Sequence, residues 1–182
     1  MSDSRRDVLR PFEEKKDYMN MRIQTGIEQN RKAGATVKVV DRDGNPVPGA
    51  HVALRQKSHD FFHGANIFML EQLETPEKNQ AYKELFAGAF NMATVPFYWN
   101  GLEPEQGKPR FAADNPFFYR RPAPDLCVDF CEQHGITPKC HCLNYDQWSP
   151  DWLANEVPVI RQALVKRFTE LSERYSKRIP SW

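Results

Sequence analysis

The chain has no run approaching the roughly 20 apolar residues that a membrane-spanning helix needs, and its mean hydropathy is −0.69. It has no excess of one charge. Lys and Arg number 25 against 24 Asp and Glu, a net charge of +1, so the electrostatic footprint of a nucleic-acid surface is missing. Glycine is scarce, 9 of 182 residues. No glycine-rich phosphate turn follows any strand candidate, which disfavours a nucleotide-binding sheet. Residues 1–16 are charged throughout and contain no apolar h-region of a signal peptide. A cytoplasmic chain and a mature exported chain both remain open on that ground.

What is present is the composition of an ordinary globular protein, 40% hydrophobic and 27% charged. A chain of this length can bury one sizeable core, or one domain plus a small appendage. Four cysteines, Cys127, Cys131, Cys140 and Cys142, lie close together. Their C-x3-C and C-x-C spacings could serve a zinc site or a disulfide, but they match no familiar zinc knuckle. The plainer reading has two thiols one turn apart on a helix and two on one face of the next strand. All four would then pack at a helix–sheet seam, and no metal or cofactor is expected.

Two segments differ in character. In residues 1–60, Met19, Ile23 and Ile27 have helical spacing, predicting a surface helix that ends near Gly34. Thr36–Val40 and Val52–Gln56, separated by the turn-rich Asp41–Pro46, predict two antiparallel strands in a small β-rich appendage. Two strands alone are marginal in water and must pack on something else.

In residues 61–182, strand and helix candidates alternate. Strands are expected at 61–67, 90–97 and 136–143, with a fourth beginning at Ile179. Thr75-Pro76 reads as N-cap and first helical position, Pro124 and Gly135 bracket a second helix, and a third spans about 157–177. The third carries an apolar stripe of Ile160, Leu164, Phe168, Leu171 and Tyr175. Such alternation predicts parallel βαβ units, either in a doubly wound sheet or in a (β/α)8 TIM barrel. The polar and aromatic loops follow strand C-termini, where barrel enzymes build their sites. A whole barrel needs about 250 residues, so α/β with a partial barrel of three to four units is expected.

Those loops carry the candidate site residues Tyr98, Trp99, His141, Tyr145, Asp146 and Trp148. Rings bury the apolar faces of sugars and nearby polar groups orient the hydroxyls. Trp99 and Trp152 read as core before they read as cleft. For Tyr145, Asp146 and Trp148 a cleft role and a mere loop role stand level. Alternation points His141 away from Cys140 and Cys142, toward a barrel interior, although a satisfied core histidine is the rival.

Four motifs carry a resemblance. Phe90-Asn91 followed by Thr94 is similar to F-N-x-x-T, and Trp99, Glu103-Pro104 and Gly107 are similar to W-x-x-x-E-P-x-x-G. His141 to Trp152 resembles H-T-L-V-W-H-S-Q-x-P-x-W, and Arg174-Tyr175 through Trp182 resembles R-Y-K-G-K-I-x-x-W. Together they resemble the N-terminal half of the catalytic domain of glycoside hydrolase family 10, the endo-β-1,4-xylanases. The resemblance implies a retaining glycosidase of xylan or a related hemicellulose, a polysaccharide or oligosaccharide partner, and His141 contacting sugar or a catalytic carboxylate. It also implies a secreted or periplasmic parent. The family's T-x-E-N-E-M-K-W becomes Thr94-Val95-Pro96-Phe97-Tyr98-Trp99, two residues shorter, with Tyr98 where the lysine would stand. Tyr145, Asp146 and Trp148 replace Trp, His and Gln. These departures point to a divergent branch, still directed at carbohydrate.

Glycoside hydrolysis needs two carboxyl groups flanking the bond, and the resemblance puts them on the fourth strand and near the seventh. Residues 1–182 are therefore expected to hold no catalytic residue and to be inactive alone, with Glu103 holding its loop. The rival is a non-catalytic carbohydrate-binding or truncated barrel protein. Half a barrel leaves an open edge, through which self-association or docking of the missing half is expected.

Overall fold

The computed structural model describes residues 3–57, 59–114 and 116–182. The chain divides into two compact units, Met1–Lys57 and Ser58–Trp182.

The first unit holds helices α1 (Asp3–Glu14) and α2 (Lys16–Asn30). None of its described side chains is buried, and Met19 and Ile23 face solvent. The predicted pair of antiparallel strands is not formed. One isolated bridge, Val40 to Pro46, stands in its place. The turn chemistry works as the sequence suggests: the Asp41 carboxylate accepts from the backbone N–H groups of Asp43 and Asn45, at 2.9 and 2.8 Å. What fails is propagation. Pro46 and Pro48 remove two ladder donors from the return segment. The unit offers no buried face on which two strands could pack.

In the second unit, β1 (Gly64–Asn66), β2 (Met92–Pro96) and β3 (Thr137–His141) form a parallel sheet in the order β1-β2-β3. Crossovers run through α3 (Pro76–Ala89), and through the short α4 (Trp99–Leu102) followed by α5 (Pro124–His134). The long α6 (Val157–Tyr175) follows β3. Ser181 then bridges Lys139 in parallel and its carbonyl accepts from the Cys140 N–H at 2.9 Å, so the expected fourth strand begins to pair. This is the partial (β/α)8 arrangement.

Local chemistry explains the boundaries. Thr75 caps α3 by accepting from the Lys78 N–H, with Pro76 behind it. Gly135 ends α5 in the left-handed region at φ 65°, where a side chain would be strained. Asn91 acts as a staple: its Oδ1 accepts from the His63 N–H at 2.7 Å and its Nδ2 donates to the Phe61 carbonyl at 2.9 Å. Position 64, where β1 begins, needs glycine because a Cβ there would lie 2.6 Å from the Met92 carbonyl oxygen.

Ala93 and Val95 of β2 and Cys140 of β3 are buried in one core with Phe86, Val128 and Leu171. Cys127 and Cys131 of α5 complete the expected seam, while Cys142 is only half-buried. Burial pushes the Cys131 and Cys140 thiols up to about 12, and Cys127 well above its ordinary value. Two polar ties join α5 to α6. Asp125 accepts from Arg174 and, at 2.6 Å, from the Tyr175 hydroxyl. Arg178, just beyond α6, pairs with Asp129 and Glu132 at 2.6 Å each. The R-Y-x-x-R spelling of this segment is thus a helix–helix clamp. Burial opposes ionisation of Asp125, but hydrogen bonds from Arg174 and Tyr175 outweigh it and hold its carboxyl below the ordinary 3.8.

A carboxyl depressed by folding contributes stability above its unfolded value and loses it as pH falls through the folded one. Asp125→Asn is therefore expected to melt below the wild type at pH 7, with the gap closing below the ordinary value of 3.8; thermal melts across pH check this. Iodoacetamide at pH 8 is expected to label Cys142 first, with Cys127, Cys131 and Cys140 labelled only in denaturant. Peptide mass spectrometry reads the order.

Candidate functional site

The ends of β2 and β3 are set by one buried cation. Arg167 of α6 is 3% exposed. Its Nε donates to the Leu143 carbonyl at 3.0 Å and its Nη2 to the carbonyls of Phe97 and, at 3.5 Å, Cys142. Those carbonyls lie just past the two strands, where the sheet ladder no longer supplies donors. Burial lowers the Arg167 pKa to about 10, which leaves the group charged at neutral pH. Its guanidinium also lies 5.2 Å from the Trp99 ring centre.

Glu103 organises the loop after β2. Its Oε2 accepts from Trp99 Nε1 at 2.9 Å, its Oε1 from the Gly107 N–H at 2.8 Å, and its carbonyl from Trp152 Nε1 at 2.8 Å. Trp99 and Trp152 meet edge to face at 5.8 Å. The W-x-x-x-E-P-x-x-G spelling is a loop brace, as expected of Glu103. Trp99 is buried at 4% exposure and forms the floor of the loop.

Three of the sequence-predicted residues converge. Tyr98 follows β2, His141 ends β3, and Trp148 lies in the short 3-10 turn Asp146–Trp148. The Tyr98 ring centre lies 5.4 Å from His141, edge on, and 5.4 Å from Trp148. His141 and Trp148 are exposed and Tyr98 is half-buried, so the cluster forms a wet aromatic surface at the C-terminal ends of two strands. The β3 alternation is as expected: Cys140 is buried in the core and His141 stands on the open face. Tyr145 is exposed beside this cluster in sequence but in no ring contact with it among the described residues. Asp146 lines a separate cavity of about 450 Å³ with Trp99, Asn144, Ser149 and Asn155.

Two arginines here were missed from the sequence. Arg121, from the loop before α5, lies 4.0 Å over the Tyr98 ring and 5.0 Å over Trp148, and no spacing betrays it. Arg167 did leave a signal. It stands three residues after Leu164 and four before Leu171, a charge set into an apolar stripe. Rings with a polar rim can hold the C–H face of a sugar and orient its hydroxyls.

Comparison with known proteins bears on this surface. The family model for glycosyl hydrolase family 10 matches residues 57–182. The protein named Anti-sigma-I factor RsgI6, from Acetivibrio thermocellus, is 24% identical over 161 residues, covering 86% of this chain and 19% of that protein. Among solved structures, GH10 from Paenibacillus barcinonensis matches with a TM-score of 0.52 at 18% identity, over 65% of this chain and 33% of its own. Xylanase B from Clostridium stercorarium F9 matches with a TM-score of 0.50 at 20% identity, over 67% of this chain and 37% of its own. The chain spans about a third of the length of these structures and about a fifth of the curated relative. At such identities the structural likeness establishes the fold.

Replacing Arg167 by Met keeps much of the volume and strands the Phe97 and Leu143 carbonyls without donors. The variant is expected to lose about 3 kcal/mol, read as a lower urea midpoint. An unchanged midpoint would show that the clamp contributes nothing.

Proposed function

The chain belongs to glycosyl hydrolase family 10, whose model covers residues 57–182, and from that membership we propose that it supplies sugar-binding wall to a retaining endo-β-1,4-xylanase or related hemicellulase. The carrying observation is the convergence of Tyr98, His141 and Trp148 at the C-terminal ends of β2 and β3. Tyr98 and Trp148 would take the apolar face of a pyranose ring, and His141 would hydrogen-bond a hydroxyl. Tyr145 and Asp146, on the same exposed turn, would extend that wall.

A retaining enzyme places two carboxyl groups about 5–5.5 Å apart. Asp146 is one carboxylate near these strand ends and sits in its own cavity. We assign both reacting carboxyls to strands beyond β3 in a complete barrel, and binding to residues 1–182. A second reading is glycan binding without cleavage, which the aromatic cluster alone would serve and which needs no second carboxylate beside Asp146.

Titration of the chain with xylohexaose, followed by tryptophan fluorescence, tests the wall. Trp148→Ala is expected to weaken binding about tenfold, the scale of one aromatic contact. Binding unaffected by that change, or no binding by the wild type, would remove the site from this surface.

A further inference from the structure

Arg121 is the unexplained charge of the site. Its guanidinium lies over Tyr98 and Trp148 and 5.6 Å from the Phe68 ring. A guanidinium has five N–H donors. Here Nη1 donates to the Arg120 carbonyl at 2.9 Å, and Nε is buried with no partner. Among the described residues no carboxylate pairs with it, and its neighbour Arg120 adds charge of the same sign. A part-buried cation with open donors and no counter-ion is costly unless something anionic arrives.

The surroundings hold this cation in place. Gly101 leaves room for its stem: a Cβ there would meet Arg121 Cγ at 3.0 Å. Gln72 ties the loop twice, donating from Nε2 to the Phe118 carbonyl at 2.9 Å and accepting from the Arg120 N–H. Arg120 itself sits in the left-handed region at φ 57°, a strained setting that persists where neighbours fix it. With Nη1 taken by the Arg120 carbonyl and Nε buried, Nη2 is the donor left to meet a ligand, and one charge-assisted bond from it to a carboxylate would supply the missing counter-charge.

We propose that Arg121, packed over Tyr98 and Trp148, is the carboxylate-binding element of a subsite for an acidic sugar, so that this surface prefers glycans bearing uronic-acid groups. The proposal rests on the sugar-wall reading and adds its substrate class.

The test compares xylotetraose with xylotetraose carrying one glucuronic acid side group, titrated by tryptophan fluorescence into the wild-type chain and into Arg121→Met. The wild type is expected to bind the acidic ligand about tenfold tighter, one charge-assisted pair, and to lose that preference as salt rises. Arg121→Met is expected to bind both ligands equally, and Arg121→Lys to recover part of the preference. Equal wild-type affinities for the two ligands, or a preference that survives in Arg121→Met or is insensitive to salt, overturns the acidic subsite and leaves the sugar wall standing. Failure of both ligands to bind overturns both. Should Arg121→Met not fold, the wild-type salt series and Arg121→Lys decide.

Discussion

The second unit depends on one buried guanidinium. Arg167 reaches from α6 to carbonyls that end two neighbouring strands. A parallel sheet satisfies its backbone only as far as the ladder runs, and the chain must then turn away with carbonyls exposed to a dry interior. A planar side chain with several donors is what such a place needs. A planar cation with several donors satisfies two strand ends at once and so fixes their separation. Tyr98 and His141, one on each strand end, inherit that spacing. The desolvation of the charge is the counterweight, visible in the lowered pKa. Several carbonyl dipoles and the Trp99 face offset it.

The same solution recurs wherever this unit leaves regular structure. Asn91 gives both ends of its amide to the backbone before β1. Glu103 spends both carboxylate oxygens on the loop after β2. Arg110 donates to the Gly101 and Pro116 carbonyls and so closes the loop that carries Arg121. Each is a polar side chain turned onto groups beyond the sheet that need partners. The aromatic surface is therefore mounted on braces and not on the strands alone. That is how loops rich in proline and short of helix hold several rings at defined distances.

The sequence was legible where one residue type suffices to fix local geometry. Thr75-Pro76 starts a helix, Gly135 ends one, and the alternation around Cys140 and His141 separates core from open face. It was also legible in the Glu103 brace, since a Glu-Pro turn between two tryptophans has few other uses. It was misleading at Thr36–Val40 and Val52–Gln56, where β-branched residues suggested strands. Strand propensity measures fit to a packed, pleated surface, and the first unit has no such surface among its described residues. It was silent on Arg121, whose partners Tyr98 and Trp148 are 23 and 27 residues away in either direction, so no local period contains the contact. Trp99 shows the converse limit: a tryptophan after a strand suits cleft and core equally, and its bond to Glu103 decides for the core.

Arg121 brings a charge to the end of β2 from a neighbouring loop. The shortened loop after β2 leaves Tyr98 in a place where the resembling family carries a lysine. A ring there can stack but cannot attract an anion, so the strand end by itself becomes neutral. The loop before α5 brings a cation to that ring, 4.0 Å from its centre. An ammonium projecting into solvent is strongly hydrated and attracts any anion weakly. A guanidinium backed by two aromatic faces is partly stripped of water, and its edge is presented in one orientation. If this surface holds the proposed acidic subsite, the exchange alters its selectivity more than its net charge. On that proposal an apolar platform for a sugar face is joined to a donor for a carboxylate, and a neutral glycan and an acidic one would meet the combination differently.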